Sequence, residues 1–283
     1  MNNIVYSHEH ISIDLSYIKK DADSELNILT DALDEFKELK KLGVEYVVDC
    51  SNHGMGADWN INKIITKETG INIINSTGFY KSPFIPDYVK QSSVKQLSQL
   101  MIKDIEMGAK IIGEIGTSLN EMTKDEEKVF EAACLAANKT NTVIITHTTL
   151  GTYGLEQIDY FKKKNVNLKK VILSHVALAN DFDYLVKLVE SGANIAFDTI
   201  GKLKYLDDET RVLFIKKLID LGYVDQILMS MDITRKSHLK KNGGPGYTYL
   251  IEIFVPLMIK NGINEVDIEK IMTKNFMNIL EDK

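Results

Sequence analysis

The sequence predicts a TIM (β/α)8 barrel with a short C-terminal helical extension. Three observations carry this: eight short apolar or β-branched runs alternate with eight stretches of helical spacing, all fit within the roughly 250 residues typical of that fold, and no glycine-rich phosphate loop is present. In chain order, Asn3–Tyr6 reads as the first strand, followed by a helix over Asn27–Leu42 that stops at Gly43. Val44–Asp49 is the second strand, with a helix over Asp58–Thr69 ending at Gly70. Ile71–Ser76 and the helix Ser93–Met107, closed by Gly108, form the third unit, and Lys110–Gly113 with Lys124–Lys139 the fourth. Thr142–Thr146 pairs with Tyr153–Lys164, and Lys170–Ser174 with Asp181–Glu190, the latter followed by Gly192. Asn194–Phe197 leads to Asp208–Leu221 and Gly222, and Gln226–Ser230 to Gly246–Lys260. Glycines just past the last periodic residue suit the left-handed cap that ends many helices. Asn264 to Leu280 forms the tail. A doubly wound open sheet, the competing architecture, calls for G-x-G-x-x-G or G-x-x-x-x-G-K-[ST], and neither occurs. Without a linker or a composition shift, residues 1–283 read as one domain.

Composition narrows the function. With 44% hydrophobic and 26% charged residues, the 283-residue chain is an ordinary globular one. Its 34 Lys+Arg against 40 Asp+Glu give a charge of −6, which removes any general pull toward nucleic acid or anionic membrane. An anionic partner must therefore be captured locally. No apolar run is long enough to span a bilayer, and MNNIVYSHEH lacks the features of a secretory signal, so a cytoplasmic location is expected. Cys50 and Cys134 form no C-x-x-C pair and read as reduced and buried.

The active face of such a barrel lies at the C-terminal ends of its strands. The first strand runs into His8-Glu9-His10, and strand alternation turns both imidazoles inward and Glu9 outward. Strand four ends in Gly113-Glu114-Ile115-Gly116, strand five at His147, strand six at His175 and strand eight at Asp232. Each residue alone has an ordinary structural explanation, such as a satisfied histidine or a helix cap. Together, four histidines and two carboxylates at one end of a barrel would be costly to bury unpaired, whereas two divalent cations satisfy all six. Imidazole and carboxylate ligands suit Zn²⁺, with Mn²⁺ as the alternative.

At these residues the sequence resembles the phosphotriesterase branch of the amidohydrolase superfamily, and within it the phosphotriesterase homology proteins. HEHISIDLS, GEIGTS, THTTLGTYGLEQ, FDTIGK and MSMDITRKSHLKKNGGPGYTYL carry the likeness, which runs from Tyr6 to Leu280. The resemblance implies that His8, His10 and Asp232 hold the more buried metal, that His147 and His175 hold the more exposed one, and that Glu114 bridges them. The sequence departs from the phosphotriesterases proper, whose bridge is a carbamylated lysine, and this weighs against organophosphate hydrolysis as the natural activity. Asn275-Phe276 stands where the family has Asn-Pro, a change expected to affect a helix start.

A hydroxide between two cations would attack a carbonyl or phosphoryl centre, with Asp232 as the proton shuttle and catalytic residue. The substrate would be chosen by the loops. After strand eight, the stretch from Thr234 to Tyr247 offers Arg235, Lys240, Lys241 and Tyr247 as a phosphate cradle, its alternative reading being a solvated basic loop. Lys202 after strand seven and Tyr80 with Lys81 after strand three could close the same pocket. His53 and His238 are weaker candidates, and Trp59 fits packing better than a cofactor site. The expected reaction is hydrolysis of a phosphorylated sugar lactone, in keeping with lactonases among the family's relatives. Hydrolysis at phosphorus is the alternative, and a non-catalytic binding protein is disfavoured because no ligand is missing. The partner is a small anionic molecule rather than nucleic acid or membrane, with a homodimer left open.

Overall fold

The computed structural model describes residues 1–281. Its parallel strands β1 (Ile4–Glu9), β2 (Val44–Asp49), β3 (Asn72–Thr77), β4 (Ile111–Thr117), β5 (Val143–Thr148), β6 (Val171–Ser174), β7 (Asn194–Phe197) and β8 (Ile227–Met229) are hydrogen-bonded neighbours in chain order. The ring closes between β8 and β1 without a regular ladder. There Ser7 Oγ donates to the Met229 carbonyl at 3.2 Å, the His8 amide to Ser230 Oγ at 3.1 Å, and the Asp232 amide to the His8 carbonyl at 3.3 Å. The fold is the expected (β/α)8 barrel. Val5, Val48, Ile111, Ile145, Ile172 and Leu228 fill its interior, and a larger cluster lies between sheet and helices.

Strand β4 runs to Thr117, past the Gly113 end read from sequence, because its register against β5 shifts between Ile112 and Ile115. Glu114 therefore sits inside the strand. At Gly113 φ is 147°, and a Cβ there would collide with the Ile145 carbonyl. Gly113→Ala should accordingly lower the unfolding free energy by at least about 2 kcal/mol. A denaturant midpoint equal to wild type would contradict this.

Several helices differ from expectation. The Asn27–Leu42 stretch divides at Ala32 into Ile28–Asp31 and Leu33–Lys41. Ahead of it, a two-stranded hairpin, Ser12–Asp14 with Glu25–Asn27, and a helical turn Ser16–Lys19 lie over the barrel mouth. Strands of three residues are too short to give a readable alternation. A short helix, Asp87–Gln91, also escapes the periodic pattern. The helix predicted from Gly246 begins at Leu250 with a π-turn and continues as Val255–Lys260.

The tail is Glu265–Glu269, a π-turn over Lys270–Lys274, and Asn275–Glu281. Asn275 lies in the middle of this run, so its neighbour Phe276 marks no helix start, contrary to the sequence reading. The Asn275 Nδ2 group donates to the carbonyls of Val224 and Ile227 at 2.7 and 2.8 Å, while Phe276 and Ile279 plug the bottom of the barrel. Both cysteines are free and buried. Among the described residues no helix is long and apolar enough to cross a membrane.

Candidate metal centre

His8, near the end of β1, and His10, just past it, turn to the same interior face, both fully enclosed. His8 Nε2 lies 3.5 Å from Glu114 Oε2 and 3.8 Å from Asp232 Oδ1. His10 Nε2 lies 3.6 Å from Glu114 Oε1 and 3.3 Å from Asp232 Oδ1. From β5, His147 turns Nδ1 toward Glu114 Oε2 at 3.1 Å, and His175 after β6 presents Nε2 to the same oxygen at 3.5 Å. Glu114 is thus the common neighbour of all four imidazoles. Among the described residues, two sets of ligand atoms are close enough to hold an ion, His8 with Glu114 and His175, and His8 with His10 and Asp232; His8 is in both and His147 in neither.

The rear nitrogens are held. His8 Nδ1 is 2.9 Å from Ser174 Oγ and His10 Nδ1 is 3.0 Å from Ser51 Oγ. Asp198, at the end of β7, lies 2.8 Å from His175 Nδ1 and 3.3 Å from His8 Nδ1, so one buried carboxylate supports two rings. Partners of this kind fix ring orientation and leave the opposite nitrogen as a lone-pair donor. The Nε2 atoms of His8 and His10 are buried without a hydrogen-bond partner. Imidazole nitrogens aimed at carboxylates, with their own hydrogen bonds made behind them, fit a divalent metal.

The four imidazoles divide electrostatically. Burial lowers the pKa of His8 and brings His147 down to about 4, which keeps both rings neutral near pH 7, whereas the Asp198 carboxylate outweighs burial and raises His175 well above the imidazole range, and the Asp232 carboxylate outweighs it to raise His10. Burial alone would raise Glu114 and Asp232. The surrounding imidazoles outweigh it for Glu114, and the Lys202 cation followed by the imidazoles does so for Asp232, so both lie well below the carboxylate range.

Above the centre opens a cavity of about 320 Å³. Tyr80, Lys202 and Arg235 line it, as the sequence suggested, together with Lys81 and His238. The Tyr80 hydroxyl is 3.3 Å from His147 Nδ1, and the Lys202 ammonium donates to the carboxylate and main-chain carbonyl of Asp232. Arg235 pairs with Asp21 at 2.7 Å and Asp23 at 3.5 Å.

The other three cradle candidates lie elsewhere. Lys240 turns away to Glu252 at 3.0 Å and Glu38 at 3.7 Å, and Lys241 joins it beside a different depression on the outer surface. Tyr247 is buried edge-on against Phe36. The loop folds back on itself, with the amides of Gly244 and Gly246 bonded to the carbonyls of Leu239 and His238, and this swings its basic tip outward. His53 faces a separate hollow and bonds Asp104 at 2.7 Å.

Sequence reasoning missed two contributors. Asp198 carried the signal that identified Asp232, an aspartate closing an apolar run. Lys19 carried none, since it reaches the mouth only because the hairpin folds over it.

A profile of the Phosphotriesterase family matches residues 3–280. The chain is 40% identical to the phosphotriesterase homology protein of Escherichia coli (strain K12), over 95% of this chain and 94% of that one. The crystal structure of the E. coli protein, complexed with phosphate in its active site, superposes with a TM-score of 0.96 over 99% of both chains. An aryldialkylphosphatase of Saccharolobus solfataricus is 31% identical, over 86% of this chain and 83% of its own. A lactonase from Listeria monocytogenes has a TM-score of 0.92 at 28% identity, covering 98% of this chain and 94% of that one.

Proposed function

This chain belongs to the phosphotriesterase family, and on that premise we propose that it is a metal-dependent hydrolase cleaving the carbonyl ester of a phosphorylated sugar lactone. The observation that carries the reading is the meeting of four histidines and two carboxylates beneath a cavity rimmed by Lys19, Lys202 and Arg235. His8, His10 and Asp232 would hold the deeper of two ions, His147 and His175 the outer one, with Glu114 between them and zinc or manganese as the metal. When bound, such ions lower the pKa of a water molecule and polarise the electrophile. The chain does the rest. Asp232 accepts the proton of the attacking water and delivers it to the alkoxide released as the ring C–O bond breaks. The Tyr80 hydroxyl, beside His147, is a donor for the substrate carbonyl oxygen.

The rim favours an anion. Burial lowers the pKa of Lys19, and the nearby Arg235 cation lowers it further. Lys19 keeps contact with solvent at the rim, and a phosphate placed among these groups relieves the repulsion between its ammonium and the Arg235 guanidinium. The phosphate held by the E. coli relative and the lactonase activity named for the Listeria protein support this choice. The Saccharolobus aryldialkylphosphatase supports attack at phosphorus as the second reading. The free buried thiols of Cys50 and Cys134 suit the reducing cytoplasm.

The test is a substrate panel presented to metal-loaded protein: sugar lactone phosphates, their unphosphorylated counterparts and aryl dialkyl phosphates. The phosphorylated lactones should give the highest kcat/KM; preference for the aryl dialkyl phosphates would move the reaction to phosphorus. Lys19→Ala and Arg235→Ala should each cost about 1.5–3 kcal/mol in kcat/KM on phosphorylated lactones. Metal content and the slow turnover of unphosphorylated lactones should stay unchanged. Lys241→Ala, outside the cavity, should match wild type. Equal losses on both lactone classes would remove the case for a phosphorylated substrate.

A further inference from the structure

Glu9, the last residue of β1, lies between His8 and His10 and points away from the centre they face. Outward on the strand here does not mean toward solvent: the side chain is fully buried in the seam between β1 and β8. Its Oε1 accepts from Ser230 Oγ at 2.7 Å, from the Met231 amide at 2.7 Å and from the Asp232 amide at 3.2 Å. Its Oε2 accepts from the Ile233 amide at 3.0 Å. Three consecutive main-chain amides therefore converge on one carboxylate, at the one seam where no regular ladder joins neighbouring strands.

The clamped segment is a demanding one. Asp232 has φ of 49°, a left-handed conformation that costs a residue with a Cβ free energy, though aspartate tolerates it better than most. That turn directs the Asp232 carboxylate toward His8 and His10. Past Met229, where β8 ends, the main chain adds a bond from the Asp232 amide to the His8 carbonyl at 3.3 Å, an amide it shares with Glu9 Oε1.

We infer that Glu9 is a positioning residue: its carboxylate clamps Met231–Ile233 and so aims Asp232 at the reacting centre. The inference rests on the assignment of Asp232 to the hydrolytic machinery. It separates the two interior histidines, which act at the centre, from the residue between them, which acts through the segment that follows the neighbouring strand β8.

Glu9→Gln keeps the shape but replaces one acceptor oxygen with an NH2 group, which meets a main-chain N–H donor to donor. In the metal-replete enzyme, amide exchange across Met231–Ile233 should accelerate at least about tenfold as a clamp bond is lost. On the best lactone of the panel, kcat should fall by about 10- to 100-fold, with KM within about twofold, as misaim of a reacting group predicts.

Asn275→Ala supplies the contrast. It releases the other end of β8 by removing the bonds to Val224 and Ile227, so it should lower the melting temperature while leaving kcat per folded molecule unchanged. A kcat in Glu9→Gln equal to wild type, or a loss that Asn275→Ala reproduces at matched stability, would overturn the inference.

Wild-type exchange provides an arm that needs neither a folded variant nor turnover. The Met231 and Ile233 amides, which bond the Glu9 carboxylate, should be protected although they lie beyond the strand, and free exchange there would also overturn the clamp. Failure of the hydrolase reading would appear separately, as wild-type protein inactive on the whole panel with these amides still protected.

Discussion

Glu114→Gln is expected to strip the centre of metal and abolish turnover together. Glu114 is the common neighbour of four imidazoles, its Oε2 standing 3.1 to 3.5 Å from His147, His8 and His175, and its Oε1 3.6 Å from His10. The substitution keeps the volume but removes the charge that two adjacent cations would require, and it leaves the imidazole nitrogens facing an amide that can donate as well as accept. Metal lost this way takes the reaction's electrophilic assistance with it, so residual activity should be below about one part in 10³. Metal analysis and turnover on the same preparation check it. Full metal content with full activity would make Glu114 a structural residue of β4.

Asp232→Asn should produce the second-largest loss, and a different one. The side chain keeps an oxygen near His10 but no longer takes up a proton, so kcat should fall by about 10²- to 10⁴-fold. The loss should be similar on phosphorylated and unphosphorylated lactones, since every leaving alkoxide needs its proton. This sets it apart from Lys19→Ala and Arg235→Ala, whose effects follow the phosphate. The Lys202 ammonium bonds the Asp232 carboxylate, so Lys202→Met should shift both kinetic constants, removing a rim cation and the group that steadies the shuttle. A variant Asp232→Asn with wild-type kcat would place proton transfer on another group.

The barrel and the inward-facing polar residues were legible in the sequence because both depend on local rules. Strand alternation sends His8 and His10 to one face whatever the rest of the chain does, and a polar residue closing an apolar run is bound to meet the mouth. His147, His175, Glu114 and Asp232 were found that way. Asp198 obeys the same rule and could have been found; its place behind His8 and His175 required knowing that β6, β7 and β1 surround one point.

Loop contacts are another matter. A charged run specifies solubility and affinity for anions but no direction. Arg235, held by Asp21 and Asp23, reaches the cavity, whereas Lys240, only five residues on, is drawn to Glu252 and Glu38 on the outside. Tyr247 contributes to the core because Phe36 offers it an apolar face. Lys19 depends on a hairpin whose three-residue strands leave no periodic trace. Glu9 combined both cases. Its direction along β1 was predictable, but its partners come from residues 230–233, at the far end of the chain, and only closure of the barrel brings them together.

The central claim is a two-ion centre built from His8, His10, Glu114, His147, His175 and Asp232, and the metal content of the purified chain tests it most directly. Protein expressed with ample zinc or manganese and freed of loosely held ions should carry two divalent ions per chain, because the six candidate side chains, five of them in the two sets close enough to hold an ion, exceed what one tetrahedral ion uses. One ion per chain, or none, would contradict the two-ion centre.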